Sequence, residues 1–109
     1  MKLAAKRPYT LLEFSGHINS QQVHDIENNL LTLEKEHIYK VIIDLTRAER
    51  ICSSALGVFA NYSNLCKEHN GEMRLVVQHE NIIRLLEITM LDKIFETYET
   101  LQEAEEDFE

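Results

Sequence analysis

Val41-Ile42-Ile43-Asp44-Leu45 constrains this chain more than any other run. Three successive β-branched residues leave no polar face, so a strand here must be covered on both sides. Such strands lie in the middle of a sheet layered with helices, whereas a half-solvated strand alternates apolar with polar. The run therefore predicts an α/β layered fold with this strand, spanning Tyr39 to Leu45, at its centre.

The flanking segments agree. Tyr9 to Phe14 has strand composition and stops at Ser15-Gly16. Asn19 or Ser20 then offers a helix cap, and Val23, Ile26, Leu30 and Leu33 follow at helical spacing to about Glu36. After the central strand, Val58, Phe59, Tyr62, Leu65 and Cys66 share one helical face with Ala55, at about 100° per residue. Leu56 falls outside that face and is expected at the surface. Asn70-Gly71 ends the helix with residues suited to a left-handed cap, and Met73 to Val77 supplies another strand. A shorter helix through Ile82, Leu85 and Leu86 comes next, then a short strand from Ile94 to Tyr98. Thr100 and Glu103 form a capping box for a last helix from Leu101 toward Asp107. Right-handed crossovers would gather the loops Gly16 to Ser20, Thr46 to Ser54 and Gln78 to Glu80 on one rim.

At 109 residues, with only three glycines and one proline, the chain suits a single domain over 1–109 without linkers. Residues 1–7 read as a short edge strand or a frayed terminus, and 105–109 as an acidic tail that frays. A formal charge of −8 disfavours binding to phosphate backbones, so nucleic acid is not an expected partner. The two cysteines form no disulfide framework, and no apolar run resembles a signal peptide or a membrane span. A cytoplasmic protein that does not insert into membrane is expected.

Ile51 to Gly57 joins the central strand to the following helix and holds Cys52, Ser53 and Ser54. A helix N-terminus presents unpaired amides and the positive end of the dipole, which suits a capping hydroxyl, an anion or a phosphorylated side chain. Ser53 as a plain N-cap is the simplest reading, and Leu56 beside two hydroxyls suggests a docking edge. Other chemistries find little support. Asp44 lacks the acidic partners that a magnesium-dependent phosphoacceptor needs and reads as a turn carboxylate. His17, His24, His37, His69 and His79 are scattered, and Cys66-x-x-His69 is half a metal site. Cys52 could be a redox-sensitive thiol or a space-filling one. A hydrolase using Ser53 or Cys52 with His17 or His79 lacks a third, base-orienting group, and there is no phosphate-binding glycine loop. Neither enzymatic activity nor any cofactor or metal is expected.

The run VIIDLTRAERICSSALGVFANYSNLCKEHNGEMRLVV, followed by IIRLLEITMLDKIFETYETLQEA, resembles the STAS domain of the anti-sigma factor antagonists. The resemblance rests on Asp44-Leu45, Ser53-Ser54-x-Leu56-Gly57, the Gly71 turn, Leu86 with Leu91 to Phe95, and Thr100 to Ala104, with Phe14-Ser15-Gly16-x-Ile18-Asn19 as the first strand-to-helix loop. It implies a STAS-type mixed β-sheet of about four or five strands packed with about four helices. The implied function is capture of an anti-sigma factor that is also a serine kinase. Phosphorylation would block capture and a PP2C-type phosphatase would restore it. The implied phosphoacceptor is Ser53, with Ser54 as the alternative; Gly16, His17, Ile18, Asn19, Ser20, Cys52, Ser53, Ser54, Leu56 and Gly57 would meet the partner. Cys52 stands where the family usually has Asp, Ala55 replaces its usual Gly, and His17 and Asn19 replace commoner acidic residues. A structural STAS subunit of a signalling complex or lipid transporter, not phosphorylated, is the alternative. Oligomeric state is left open.

Overall fold

A computed structural model describes residues 1–5, 9–106 and 108. Among them five strands form one sheet in the order β1-β2-β3-β4-β5. The strands are β1 (Lys2–Ala5), β2 (Thr10–Ile18), β3 (Lys40–Ile51), β4 (Glu72–Val76) and β5 (Glu96–Tyr98). β1 is antiparallel to β2, and every other pairing is parallel. Four α-helices connect or follow the strands: α1 (Val23–Lys35), α2 (Ser53–Glu68), α3 (Glu80–Ile88) and α4 (Leu101–Glu105). This is the expected mixed-sheet α/β fold.

The central run behaves as its composition requires. Val41, Ile42, Ile43 and Leu45 are all fully buried. Val41, Ile43 and Leu45 enter the main core with apolar residues of α1, α2 and α3, while Ile42 faces a smaller core containing Tyr9, Leu11, Val76, Ala104 and Phe108. Each such side chain removed from water contributes roughly 1.5–3 kcal/mol. The alternation explains the absence of a polar face: helices α1 to α3 cover one side of the strand, and α4 with the chain end covers the other.

Several boundaries differ from expectation. Of the two readings of the chain start, the edge strand is the one observed, as β1; Lys6, Arg7 and Pro8 lie outside the described residues. β2 does not stop at Ser15-Gly16, nor β3 at Leu45. The two strands stay paired as far as Ile18↔Ile51, through register shifts between Glu13 and Ser15 and between Gly16 and His17. Gly16 has φ +71°, a conformation that side chains disfavour, at the second of these irregularities. Part of the expected rim is therefore strand. β5 begins only at Glu96, because Leu91–Lys93 forms a 3₁₀ turn.

After α2 the left-handed residue is Asn70, at φ 62°, rather than Gly71. Gly71 is required for a different reason: a Cβ there would lie 2.0 Å from the Tyr39 carbonyl oxygen, where β4 starts beside β3. The chain is anchored at Phe108, within the stretch where fraying was expected. Phe108 is buried and stacks on Tyr9 with ring centroids 5.6 Å apart, and the Tyr9 hydroxyl donates to Glu105. Asp107 and Glu109 lie outside the described residues.

Candidate functional site

The extended β2-β3 pair carries two connections to the same end of the sheet. At its tip the Cys52 amide donates to the Ile18 carbonyl at 2.9 Å, tying the loop before α1 to the turn before α2. Asn19 completes a capping box: its Oδ1 accepts from the Gln21 amide at 3.0 Å, and its own amide donates to Gln22 Oε1 at 2.8 Å. The end of β2 and the Asn19–Ser20 turn are thus held next to Cys52 and the start of α2.

Cys52, not Ser53, is the N-cap of α2, with extended backbone at φ −76° and ψ 153° and no side-chain bond to the first-turn amides. Ser53 and Ser54 are consequently the first two helical residues, and both are exposed. The simple capping role for Ser53 is thereby replaced by a position at the positive end of a 16-residue helix whose first amides lack intrahelical partners. The two hydroxyls differ. Ser54 Oγ lies 3.3 Å from Cys52 Sγ, whereas the Ser53 hydroxyl has no hydrogen-bond partner among the described residues.

Leu56 is fully buried, contrary to its expected place on a docking edge. The single-face reading of α2 fails because this helix packs against the sheet, α1 and the 3₁₀ turn Ser20–Gln22 together. Ala55, Leu56, Phe59, Ala60, Tyr62, Ser63 and Cys66 are all buried on it. Ile18 is also core, so its contribution to the rim is its carbonyl. Gly57 differs from both: it is half-buried, and a Cβ added there would meet nothing within 4 Å. One turn beyond Ser53, it leaves a bare patch on the same side of the helix.

Sequence reasoning missed the charged flank of this site. Arg47, Glu49 and Arg50 are exposed on the β3 extension, and Glu49 Oε2 pairs with His17 Nε2 at 3.2 Å. The available signal was Ala48 and Ile51, two buried residues spaced for an irregular strand. Gln78 turns toward the β5 side, donating to the Glu99 carbonyl at 2.7 Å, and His79 Nδ1 accepts from the Asn81 amide as the cap of α3. Neither His17 nor His79 is bonded to Ser53 or Cys52.

Asp44 lies within β3, opposite Glu13 of β2 and Val76 of β4, rather than in the expected turn; it is largely buried, and its Oδ1 accepts from the Thr46 amide at 3.0 Å. Burial pushes the Cys66 thiol up to about 12, and His69 is bonded to the Leu65 carbonyl and stacked on Tyr39. Among the described residues no three His, Cys, Asp or Glu side chains converge as metal ligands, and no helix is long and apolar enough to cross a membrane.

The family model of the STAS domain matches residues 2–104. The chain belongs to the STAS domain family. A relative from Thermotoga neapolitana, described as an anti-sigma factor antagonist, is 31% identical over 94 residues, covering 73% of this chain and 83% of the relative. The crystal structure of a Thermotoga maritima protein of the same description superposes with a TM-score of 0.85 at 27% identity, over 94% of this chain and 89% of that one. SpoIIAA, the Bacillus cell fate determinant, solved in its phosphorylated form, matches with a TM-score of 0.74 over 94% of each chain. At 16% identity SpoIIAA shows the shared STAS fold alone. By homology and fold, this STAS domain falls among the anti-sigma factor antagonists.

Proposed function

We propose that this STAS domain captures an anti-sigma factor that is also a serine kinase, and that phosphorylation of Ser53 releases it. The observation that carries the reading is the Ser53 hydroxyl, exposed and without a partner among the described residues at the first position of α2, while the Ser54 hydroxyl is engaged by Cys52. Gly16, His17, Asn19, Ser20, Cys52, Ser54 and Gly57 form the surrounding contact surface, and Ile18 and Leu56 support it from the core. The domain acts by binding, without catalysis or cofactor, and a PP2C-type phosphatase resets it.

The physical logic is local. A phosphoryl group brings about −1.5 to −2 charges, and at a helix N-terminus the dipole favours it by roughly 0.3–1 kcal/mol. Within a docked interface the same dianion must be desolvated or face partner carboxylates. A loss of about 3 kcal/mol there weakens binding roughly a hundredfold. The STAS fold itself need not change.

Peptide mapping and intact mass of the protein from its native cell test this reading. Phosphate on Ser53 supports it. A protein that stays unphosphorylated while its kinase is active, yet binds stably in a larger assembly, would instead favour the structural-subunit reading.

A further inference from the structure

A solvent-open groove of about 200 Å³ runs between α1 and α2. Glu27, Leu31 and Glu34 form its α1 wall at steps of four and three, and Val58, Tyr62 and Leu65 form its α2 side at the same steps. Both walls therefore extend about two helical turns, roughly 10 Å at 1.5 Å per residue. Leu31 is 52% exposed, unlike Ile26, Leu30 and Leu33 of the same helix, which are buried. The Tyr62 ring forms a fixed floor, because its hydroxyl donates to the Ile38 carbonyl at 2.5 Å and the residue is buried. Leu31 is thus an exposed leucine beside an apolar trough.

The charge around the trough identifies its occupant. Glu27 and Glu34 stand one turn to either side of Leu31, and no basic side chain of the described residues lines the groove. A second copy meeting the same groove across a two-fold axis would set Glu27 and Glu34 against their own counterparts, acid against acid. A helix laid in such a groove presents anchors at i, i+3 or i+4, and i+7. We infer that the α1-α2 groove docks an amphipathic helix of a partner protein, with apolar anchors over Leu31, Val58 and Leu65 and Lys or Arg side chains toward Glu27 and Glu34. The surface does not depend on the Ser53 reading: Val58 lies five residues beyond Ser53, about 7.5 Å along the axis, and the groove runs away from that end.

The test is an amide chemical-shift titration with a synthetic helix of about 15 residues, long enough to hold helical structure, bearing leucines at those spacings and flanking lysines. The control peptide has glutamate in place of each lysine. The lysine peptide is expected to shift amides within 27–34 and 58–65, with affinity falling as salt rises. Leu31→Glu and the double variant Glu27→Lys/Glu34→Lys, all at exposed or half-exposed positions, should each weaken binding about tenfold while keeping the parent spectrum elsewhere. Ser53→Asp should bind the peptide like the parent. The inference is overturned if the shifts fall outside the groove, if the glutamate peptide binds equally well, or if Ser53→Asp abolishes binding. It is also overturned if the chain alone forms a dimer that Leu31→Glu dissolves, since the occupant would then be a second copy.

Discussion

The Cys52 amide and the Ile18 carbonyl meet at 2.9 Å, one residue before the helix that carries Ser53. Because Ile18 is buried at the end of β2 and Cys52 directly follows β3, this bond fixes the start of α2 relative to the Gly16 to Ser20 loop. A partner approaching Ser53 meets both segments as one surface. On the proposed reading, a charge added at Ser53 would act on that surface without a conformational change to relay it.

Ser53→Asp tests that separation of binding from stability. The carboxylate sits at the first helical position, where the dipole contributes about 0.3–1 kcal/mol in its favour. Urea unfolding should therefore show equal or slightly higher stability, while calorimetric titration with the purified anti-sigma factor shows binding weakened tenfold or more. Ser53→Ala should bind like the parent and resist kinase control. Loss of fold in either variant would show that the hydroxyl has a structural role.

Leu56 and Gly57 are neighbours with opposite sensitivities. Leu56→Ala removes a fully buried side chain and is expected to cost about 2–5 kcal/mol in unfolding free energy. Gly57→Ala places a methyl group in open space on a helix and should stabilise by about 0.4–1 kcal/mol. If the partner approaches the bare patch at Gly57, that same variant binds less well despite its greater stability. Paired denaturation and binding measurements distinguish the two effects.

How far these features could be read from sequence depended on how many neighbours each element has. The Val41 to Leu45 run was legible because burial on both faces removes alternation altogether. The Thr100 cap was legible because it is local: its Oγ accepts from the Glu103 amide at 3.1 Å, as the S/T-x-x-E spacing implies, whereas at α2 the strand extension moved the cap from Ser53 to Cys52. Leu56 was misread because a helical wheel allows one buried face, whereas α2 touches the sheet, α1 and a 3₁₀ turn. The β2 and β3 extensions were hidden by register shifts that break the two-residue period. Phe108 lay unnoticed in an acidic run, although a lone aromatic among carboxylates is what an anchoring residue looks like. Its stacking partner, Tyr9, is about as distant in sequence as this chain permits.

Arg74 should control the attachment of that anchor. Its Nη1 donates to the Ala104 carbonyl at 2.9 Å and the Glu106 carbonyl at 2.7 Å, and its Nε pairs with Glu72 at 2.8 Å. The guanidinium also lies 4.4 Å from the Phe108 ring centroid. Arg74→Met keeps most of the buried stem but leaves the carbonyls at the end of α4 without this donor and Glu72 without this cation. Roughly 2–4 kcal/mol should be lost. Amide hydrogen exchange should rise first in 101–106, because α4 has only five residues and little helical stability of its own. Uniform acceleration across the sheet would show instead that α4 and the main core open together.

The Cys66 thiol gives a pH dependence of defined sign. Burial raises its folded-state value from about 9 to about 12, so the folded state holds this proton more tightly than the unfolded chain does. The associated stability is complete below pH 9 and is progressively lost as the pH rises toward 12. Cys66→Ala should flatten that part of the stability curve while lowering the neutral-pH value by the cost of the cavity. Cys52 is half-buried at the helix cap and Cys66 is fully enclosed. A thiol reagent at pH 8 should therefore label Cys52 in the native protein and reach Cys66 only through unfolding. A Cys66 labelling rate that followed reagent concentration in native buffer, and ignored added urea, would contradict its enclosure.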